Sequence, residues 1–205
     1  MAERVVEKKE RMSVTDYMRL RFKGVLDPVA GFLNRVGLMP NTVTILGLVG
    51  NTAAGYFLAR GQMTLGGILV LLMGPVDALD GAMARLRGEP TEFGAFVDSV
   101  SDRYSELVIF AGLLFFYLQQ GQYLPVMLVY LSAAGSVLVS YIRARAQGVG
   151  AETKVGILSR MGRYFVLVPG LVLNFPEISL WVLAVFSNIT AVQRILDVRR
   201  KLRKL

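Results

Sequence analysis

Four aspartates form two pairs on either side of a short polar stretch that separates two apolar segments. Asp77 and Asp80 are three residues apart, and Asp98 and Asp102 are four residues apart. Either spacing places both side chains of a pair on one face of a helix. Because the polar stretch is short, the two segments form a hairpin and both pairs lie near the same membrane boundary. The sequence therefore predicts that the four carboxylates converge.

An ionised carboxylate within an apolar segment must be paired, hydrated or metal-bound, because placing it in a membrane span costs about 2.5–3.5 kcal/mol. The chain contains no histidine and no cysteine, so its ligands must be oxygens, which favour Mg²⁺ or Mn²⁺ over zinc. We predict two Mg²⁺ ions, with Mn²⁺ as the alternative. Such a pair would neutralise phosphate charge and align the attacking and leaving oxygens of a displacement.

Small residues and an arginine accompany the first pair of aspartates. Gly81 and Ala84 follow on one helical face, where a bulky side chain would obstruct an approaching nucleotide. Arg85 follows at the end of the span, and its planar guanidinium is suited to a diphosphate. The alternative for Arg85 is that it extends to the membrane interface, as terminal arginines often do.

The elements that must position these residues are membrane helices. Hydrophobic residues make up 54% of the 205 residues, and several apolar segments approach the roughly 20 residues that cross a bilayer. These segments are 41–59, 64–84, 94–118, 123–142, 164–175 and 177–193. They are continuous rather than alternating, which favours helices over barrel strands. We therefore predict an all-α integral membrane protein with six transmembrane helices; Pro169 and Gly170 interrupt the fifth, so five or seven remain possible.

The net charge of +8 is explained by membrane topology without any nucleic-acid partner. Most basic residues fall in four groups that alternate with the spans: before Asn41, at Arg85 and Arg87, from Arg143 to Arg163, and after Gln193. Six spans place all four groups on one side, which the positive-inside rule assigns to the cytoplasm. We expect a multi-pass protein of the cell membrane, with both termini and the aspartates facing the cytoplasm.

The N-terminal 36 residues differ from the rest of the chain. Residues 1–12 are highly charged and are predicted to form a tail. Residues 13–36 mix apolar and basic side chains, which predicts an amphipathic helix at the membrane interface, with Pro28 breaking the pattern. This helix either anchors the chain to lipid or gates the site. Residues 37–205 form the membrane domain.

The spacing of the acidic segment resembles the signature of one enzyme family. The pattern is Asp77-x2-Asp80-Gly81-x2-Ala84-Arg85-x8-Gly94-x3-Asp98-x3-Asp102. It is similar, at every fixed position, to that of the CDP-alcohol phosphotransferases, also called CDP-alcohol phosphatidyltransferases. The resemblance implies six membrane helices, two divalent ions, a CDP-linked lipid donor, release of CMP and a homodimer.

The resemblance also implies roles for individual residues. It makes Asp77, Asp80 and Asp98 metal ligands, and it makes Asp102 both a ligand and the base that deprotonates the acceptor hydroxyl. The residues that it assigns to nucleotide or donor binding are Pro40, Asn41, Thr42, Thr44, Gly81, Ala84, Arg85 and Thr91. From its position before the first span, either Asn41 or Thr42 is also suited to cap that helix.

A basic segment between the fourth and fifth spans suggests the acceptor. Arg160 and Arg163 are three residues apart, so a helix would present both to a phosphate near the carboxylates. Together with Arg143 and the surrounding segment 140–146, they resemble the phosphatidylinositol-phosphate synthase branch of the family, although Ser159 and Gly162 stand where acidic residues are usual. The alternative is that these arginines only reflect the positive-inside rule for cytoplasmic loops.

That branch implies transfer of a phosphatidyl group from CDP-diacylglycerol to inositol phosphate, with CMP as the second product. Glycerol phosphate is the alternative acceptor, which would make the chain a phosphatidylglycerol-phosphate synthase or another CDP-alcohol phosphotransferase. A hypothesis from a different class is a membrane cation channel or transporter whose aspartates conduct ions.

Overall fold

The computed structural model describes residues 14–88 and 91–203, with side chains from Gly24 onwards. The predicted tail over residues 1–12 and Ser13 lie outside the described residues. The described chain is all-helical, as predicted. Its helices are α1 Val14–Arg35, α2 Pro40–Ala59, α3 Met63–Arg87, α4 Glu92–Gln119, α5 Tyr123–Gln147, α6 Arg160–Val172 and α7 Pro176–Leu202.

Four helices in the described part, α2, α3, α5 and α7, are long and apolar enough to cross a membrane. They indicate a multi-pass membrane protein. The other two segments predicted to span differ in kind. Helix α4 has 28 residues, but Asp98, Asp102 and Glu106 lie within its first 15 residues. Helix α6 has 13 residues and rises about 20 Å, less than the roughly 30 Å of a bilayer core.

Glycines let α2 and α4 approach closely. A Cβ added to Gly55 would lie 2.6 Å from the carbonyl oxygen of Val108, and one added to Gly112 would lie 2.9 Å from the carbonyl carbon of Gly55. Two backbones are therefore in direct contact at this crossing, as small residues permit in membrane helices. Helix α4, which makes this contact, carries two of the four aspartates.

Helices α5, α6 and α7 contribute to the same apolar core as α2, α3 and α4. Leu171 of α6 and Leu180 and Leu183 of α7 are fully buried. Arg194 of α7 is also buried, and its guanidinium donates to the carbonyl of Val139 in α5 at 2.6 Å and to the carbonyl of Val155 at 3.1 Å. Through Val155 it holds the loop that leads into α6.

Helix α1 is joined to the end of α3 by polar contacts. The Arg87 side chain donates to Asn34 Oδ1 at 2.7 Å and to the carbonyl of Leu38 at 2.6 Å. The Asn34 amide in turn donates to the carbonyl of Met83 at 3.1 Å. The C-terminal end of α1 is therefore fixed beside the C-terminal end of α3.

Two local predictions are wrong. Pro28 does not interrupt α1. Because proline has no N–H, the carbonyl of Gly24 loses its hydrogen-bond partner within the helix. Both residues are exposed, so this carbonyl can find another partner. Neither Asn41 nor Thr42 caps α2, because the helix begins at Pro40 with Met39 as its N-cap and no side-chain cap. Proline suits the first position of a helix, since its φ angle is preset and its missing N–H has no partner there.

Candidate active site

Three of the four predicted carboxylates meet where α3 and α4 approach each other. One oxygen each from Asp77, Asp98 and Asp102 lies within 4.8 Å of the other two. Asp102 is buried, whereas Asp77 and Asp98 are half-buried. The hairpin geometry predicted from the sequence thus brings ligands from both helices to one point.

Asp80 lies outside this three-oxygen group and is held by hydrogen bonds. Its Oδ2 accepts from the hydroxyl of Thr44 at 2.6 Å, and its Oδ1 accepts from the backbone N–H of Gly81. Thr44 and Asp80 are both buried. The Thr44 hydroxyl also lies 3.2 Å from the carbonyl of Pro40, but its single proton favours the shorter bond to the charged acceptor. The structure thus gives Thr44, predicted at the donor site, a direct contact with a predicted metal ligand.

Arg160 reaches the same carboxylates from the first turn of α6. Its Nη2 lies 2.6 Å from Oδ2 of Asp77 and also contacts Oδ1 of Asp102. The first turn of α6 is capped by Ser159, whose hydroxyl accepts from the N–H of Gly162 at 3.2 Å. The arginine predicted for the acceptor therefore lies on the acidic cluster itself.

Arg163 has a different environment from Arg160. Its side chain is 3% exposed, and its Nε donates to Oε1 of Glu106 at 2.9 Å. A second bond joins its Nη2 to Oε2 of Glu106 at 3.4 Å, and its buried Nη1 has no hydrogen-bond partner in the described chain. Sequence reasoning missed Glu106, although its spacing of four from Asp102 would have placed it on the same face of α4. The third predicted acceptor residue, Arg143, is exposed near the end of α5.

A cavity of about 90 Å³ lies against these charged groups. One part of its wall is polar, formed by Asp77, Asp102, Glu106, Arg160 and Arg163. The rest is largely apolar and includes side chains from α3, α4, α6 and α7: Val70, Met73, Ile109, Phe110, Leu167 and Leu183. Charged groups in such a site interact more strongly than they would in water.

The residues predicted for the donor lie around the ends of α2, α3 and α4. Thr91 caps α4 by accepting from the N–H of Gly94 at 3.0 Å. A Cβ added to Gly94 would lie 3.6 Å from Asn41 Oδ1, and one added to Gly81 would lie 3.3 Å from a guanidinium nitrogen of Arg85. The remaining predicted residues have mixed exposure: Pro40 and Ala84 are half-buried, and Thr42 and Arg85 are exposed.

The acidic cluster fits a hard divalent cation. Its donors are carboxylate oxygens from two helices, the ligand type that Mg²⁺ and Mn²⁺ prefer. The guanidinium of Arg160 already lies against Asp77 and Asp102, which shows that the cluster attracts positive charge. A cation bound there would supply charge neutralisation at a phosphate.

Comparison with known proteins identifies the family. The model of the CDP-alcohol phosphatidyltransferase family matches residues 37–192. The chain belongs to this family. It is therefore a phosphotransferase, and the channel or transporter alternative is set aside. Asp77, Asp98 and Asp102, which meet where α3 and α4 approach each other, all belong to the sequence signature.

Curated relatives in the family align over most of their length. A phosphatidylinositol phosphate synthase of Streptomyces avermitilis is 37% identical over 202 residues, which cover 90% of this chain and 82% of the relative. A phosphatidylinositol phosphate synthase of Mycobacterium tuberculosis is 37% identical over 188 residues, covering 86% and 87%. An archaetidylinositol phosphate synthase of Methanothermobacter thermautotrophicus is 32% identical over 197 residues, covering 93% and 97%.

Solved structures of the mycobacterial enzyme have the same fold. The crystal structure of Mycobacterium tuberculosis phosphatidylinositol phosphate synthase with CDP-DAG bound superposes with a TM-score of 0.80 at 35% identity, covering 85% of this chain and 93% of that one. A second structure, in complex with manganese and citrate, also gives 0.80 at 35% identity, covering 84% and 88%. That protein thus binds CDP-DAG and manganese.

Proposed function

We propose that this enzyme transfers the phosphatidyl group of CDP-diacylglycerol to a hydroxyl of inositol phosphate and releases CMP. The observation that carries the proposal is the position of Arg160, a guanidinium in contact with Asp77 and Asp102 at the mouth of the site. A guanidinium at this point can bind the phosphate of an anionic acceptor and hold it beside the reacting groups. The names of the relatives at 37% identity support the same acceptor.

The reaction is a displacement at phosphorus. The acceptor oxygen forms a bond to the phosphorus that carries diacylglycerol, the bond from that phosphorus to the CMP oxygen breaks, and the acceptor proton passes to Asp102. Asp77, Asp98 and Asp102, with Asp80 beside them, would hold two divalent ions, by default Mg²⁺, and Mn²⁺ is the alternative. The bound ions would offset the negative charge of the diphosphate.

The donor nucleotide would lie against the ends of α2, α3 and α4. Gly81 and Ala84 leave room for it, and Arg85 would bind its diphosphate. Pro40, Asn41, Thr42 and Thr91 would contribute from α2 and from the start of α4. The contact between Thr44 and Asp80 supports an indirect role for Thr44, in which it orients a metal ligand next to the donor.

The acceptor site would use Arg160 directly, with Arg143 at the same end of the fold. Arg163 is buried and makes two hydrogen bonds to Glu106. These contacts favour a structural role for Arg163, which keeps α6 in position on α4. Glycerol phosphate is the second candidate acceptor, since the same guanidinium would bind its phosphate.

In the membrane, we infer six crossings, made by α2 to α7, in which the short α6 would cover only part of the bilayer core as a helix, with α1 lying at the interface in contact with lipid. Exposed apolar side chains on α1, among them Val25, Val29 and Phe32, support its place at the interface. Both termini and the site would face the cytoplasm, and two copies of the chain would form a homodimer. The chain would then divide into the charged and interfacial residues 1–36 and the membrane domain 37–205.

The test offers purified enzyme CDP-diacylglycerol with inositol phosphate, glycerol phosphate, inositol or serine in parallel, with products identified by mass. We expect CMP release and a phosphorylated inositol lipid only with inositol phosphate. Asp102→Asn, assayed under the same conditions, controls for contaminating activity. Preferential use of glycerol phosphate would contradict the proposed acceptor and leave the family assignment intact.

A further inference from the structure

Arg160 and a metal ion need the same oxygens. The guanidinium binds Oδ2 of Asp77 and Oδ1 of Asp102, and these two carboxylates belong to the group whose oxygens lie within 4.8 Å of one another. A carboxylate oxygen that accepts a hydrogen bond from a guanidinium is a weaker metal ligand. Two cations placed on the same carboxylates would also repel each other. Full contact of Arg160 and metal loading of the cluster therefore oppose each other.

The partners of this contact differ in how well they tolerate separation. The side chain of Asp102 is 4% exposed, so its charge needs a cation beside it. The side chain of Arg160 is 46% exposed, so water can take over its hydrogen bonds when it leaves. A metal ion can therefore replace Arg160 for the aspartate, while Arg160 itself remains solvated.

The helix that carries Arg160 is fixed independently of this contact. Arg163, three residues later in α6, is bound to Glu106 of α4 by two hydrogen bonds. Because this second pair holds the first turn of α6 against α4, the side chain of Arg160 can release the cluster without moving its helix.

We propose that Arg160 is an internal counter-cation, which occupies the acidic cluster before metal loading and is released by the metal to bind the acceptor phosphate. The last step rests on the proposed function. Metal binding and acceptor binding are then linked through one side chain. Any change that favours the released state of Arg160 increases the affinity for both the metal and the acceptor. Acceptor binding before metal loading is disfavoured, because Arg160 is still engaged with Asp77 and Asp102.

The first measurement is a titration of the purified full chain with Mn²⁺ alone, following free Mn²⁺ by electron paramagnetic resonance. We expect Arg160→Gln to bind Mn²⁺ more tightly than the wild type, by about 5- to 150-fold, the usual range of coupling between linked sites. Arg160→Lys keeps the charge without the planar fork and should lie between the two. Arg145→Gln removes an equal charge from an exposed position of α5 and should match the wild type.

Equal or weaker Mn²⁺ binding by Arg160→Gln would overturn the competition, and so would an equal gain in Arg145→Gln, which would reduce it to general charge. The second measurement adds inorganic phosphate. Phosphate should increase the Mn²⁺ affinity of the wild type more than that of Arg160→Gln; equal increases would overturn the acceptor step. Neither titration contains lipid or inositol phosphate, so failure here and failure of the proposed reaction are separate results.

Discussion

Glu106 of α4 and Arg163 of α6 form a two-point ion pair, with Nε to Oε1 at 2.9 Å and Nη2 to Oε2 at 3.4 Å. It lies one helical turn beyond the contact between Asp102 and Arg160. The two helices are therefore joined by two successive ion pairs. In the first pair Arg163 is buried, Glu106 is half-buried, and the pair stabilises the packing, whereas the pair at Arg160 belongs to the reacting site. Two arginines that the sequence presents as equivalent thus have different tasks.

The first prediction separates these tasks. Arg163→Ala should lower the free energy of unfolding by roughly 3 kcal/mol, because it leaves Glu106 unpaired next to the core. Arg160→Ala, at saturating Mg²⁺, should leave thermal unfolding in detergent nearly unchanged and raise the KM for the acceptor about tenfold or more, without affecting the KM for CDP-diacylglycerol.

A double replacement provides the control for the buried pair. Glu106→Leu combined with Arg163→Leu should recover most of the lost stability, since an apolar pair needs no charge compensation. If Arg163→Ala unfolds like the wild type and raises the acceptor KM as much as Arg160→Ala does, Arg163 contacts the acceptor and the distinction is wrong.

The second prediction concerns the metal ligands. Asp77→Asn, Asp80→Asn and Asp98→Asn should each abolish turnover and weaken Mn²⁺ binding, because each removes a negative charge while preserving shape. Thermal unfolding and membrane insertion should change little. Asp27→Asn in α1 is the matched control and should retain both properties. Turnover near that of the wild type in any two of the three variants, at saturating Mg²⁺, would rule out the metal cluster.

The third prediction tests whether Thr44 serves Asp80 or the donor. Thr44→Val keeps the shape of the side chain and removes the hydroxyl that donates to Asp80 at 2.6 Å. Loss of a hydrogen bond to a charged group is worth about 1.5–3 kcal/mol, so kcat and Mn²⁺ affinity should fall about tenfold or more with the donor KM unchanged. Thr44→Ser should retain both. A rise in the donor KM alone would instead assign the hydroxyl to the nucleotide.

Much of this architecture follows from local sequence patterns. Apolar segments of the right length predicted the helices, and spacings of three and four predicted that Asp77 and Asp102 would face a common point. These features depend on the period of the helix, which a sequence displays directly. The predicted fifth span, 164–175, has 12 residues, fewer than the roughly 20 that cross a bilayer, and α6 has 13.

The contacts that distinguish the arginines could not be predicted in this way. Arg160 and Asp77 are 83 positions apart, and their meeting depends on how α6 packs against α3 and α4. Arg194 was grouped with basic residues that report topology, yet it is buried and holds two carbonyls. Spacing along the chain carries no information about such pairs, because they depend on tertiary packing.

The last prediction tests whether the backbone contact between α2 and α4 positions the site. Gly55→Ala would place a methyl group 2.6 Å from the carbonyl oxygen of Val108, so the two helices must separate. Overpacking of this kind costs about 1–3 kcal/mol. Helix α4 carries Asp98 and Asp102, so its displacement should also weaken Mn²⁺ binding.

Gly31→Ala in α1 is the matched control, since a Cβ there meets no heavy atom within 4 Å and alanine favours a helix over glycine by roughly 0.5–1 kcal/mol. We expect Gly55→Ala to lower both the unfolding temperature and the Mn²⁺ affinity, and Gly31→Ala to lower neither. If Gly55→Ala loses stability but binds Mn²⁺ like the wild type, the crossing supports the fold without setting the position of the aspartates. The two measurements on one pair of variants therefore separate packing from positioning.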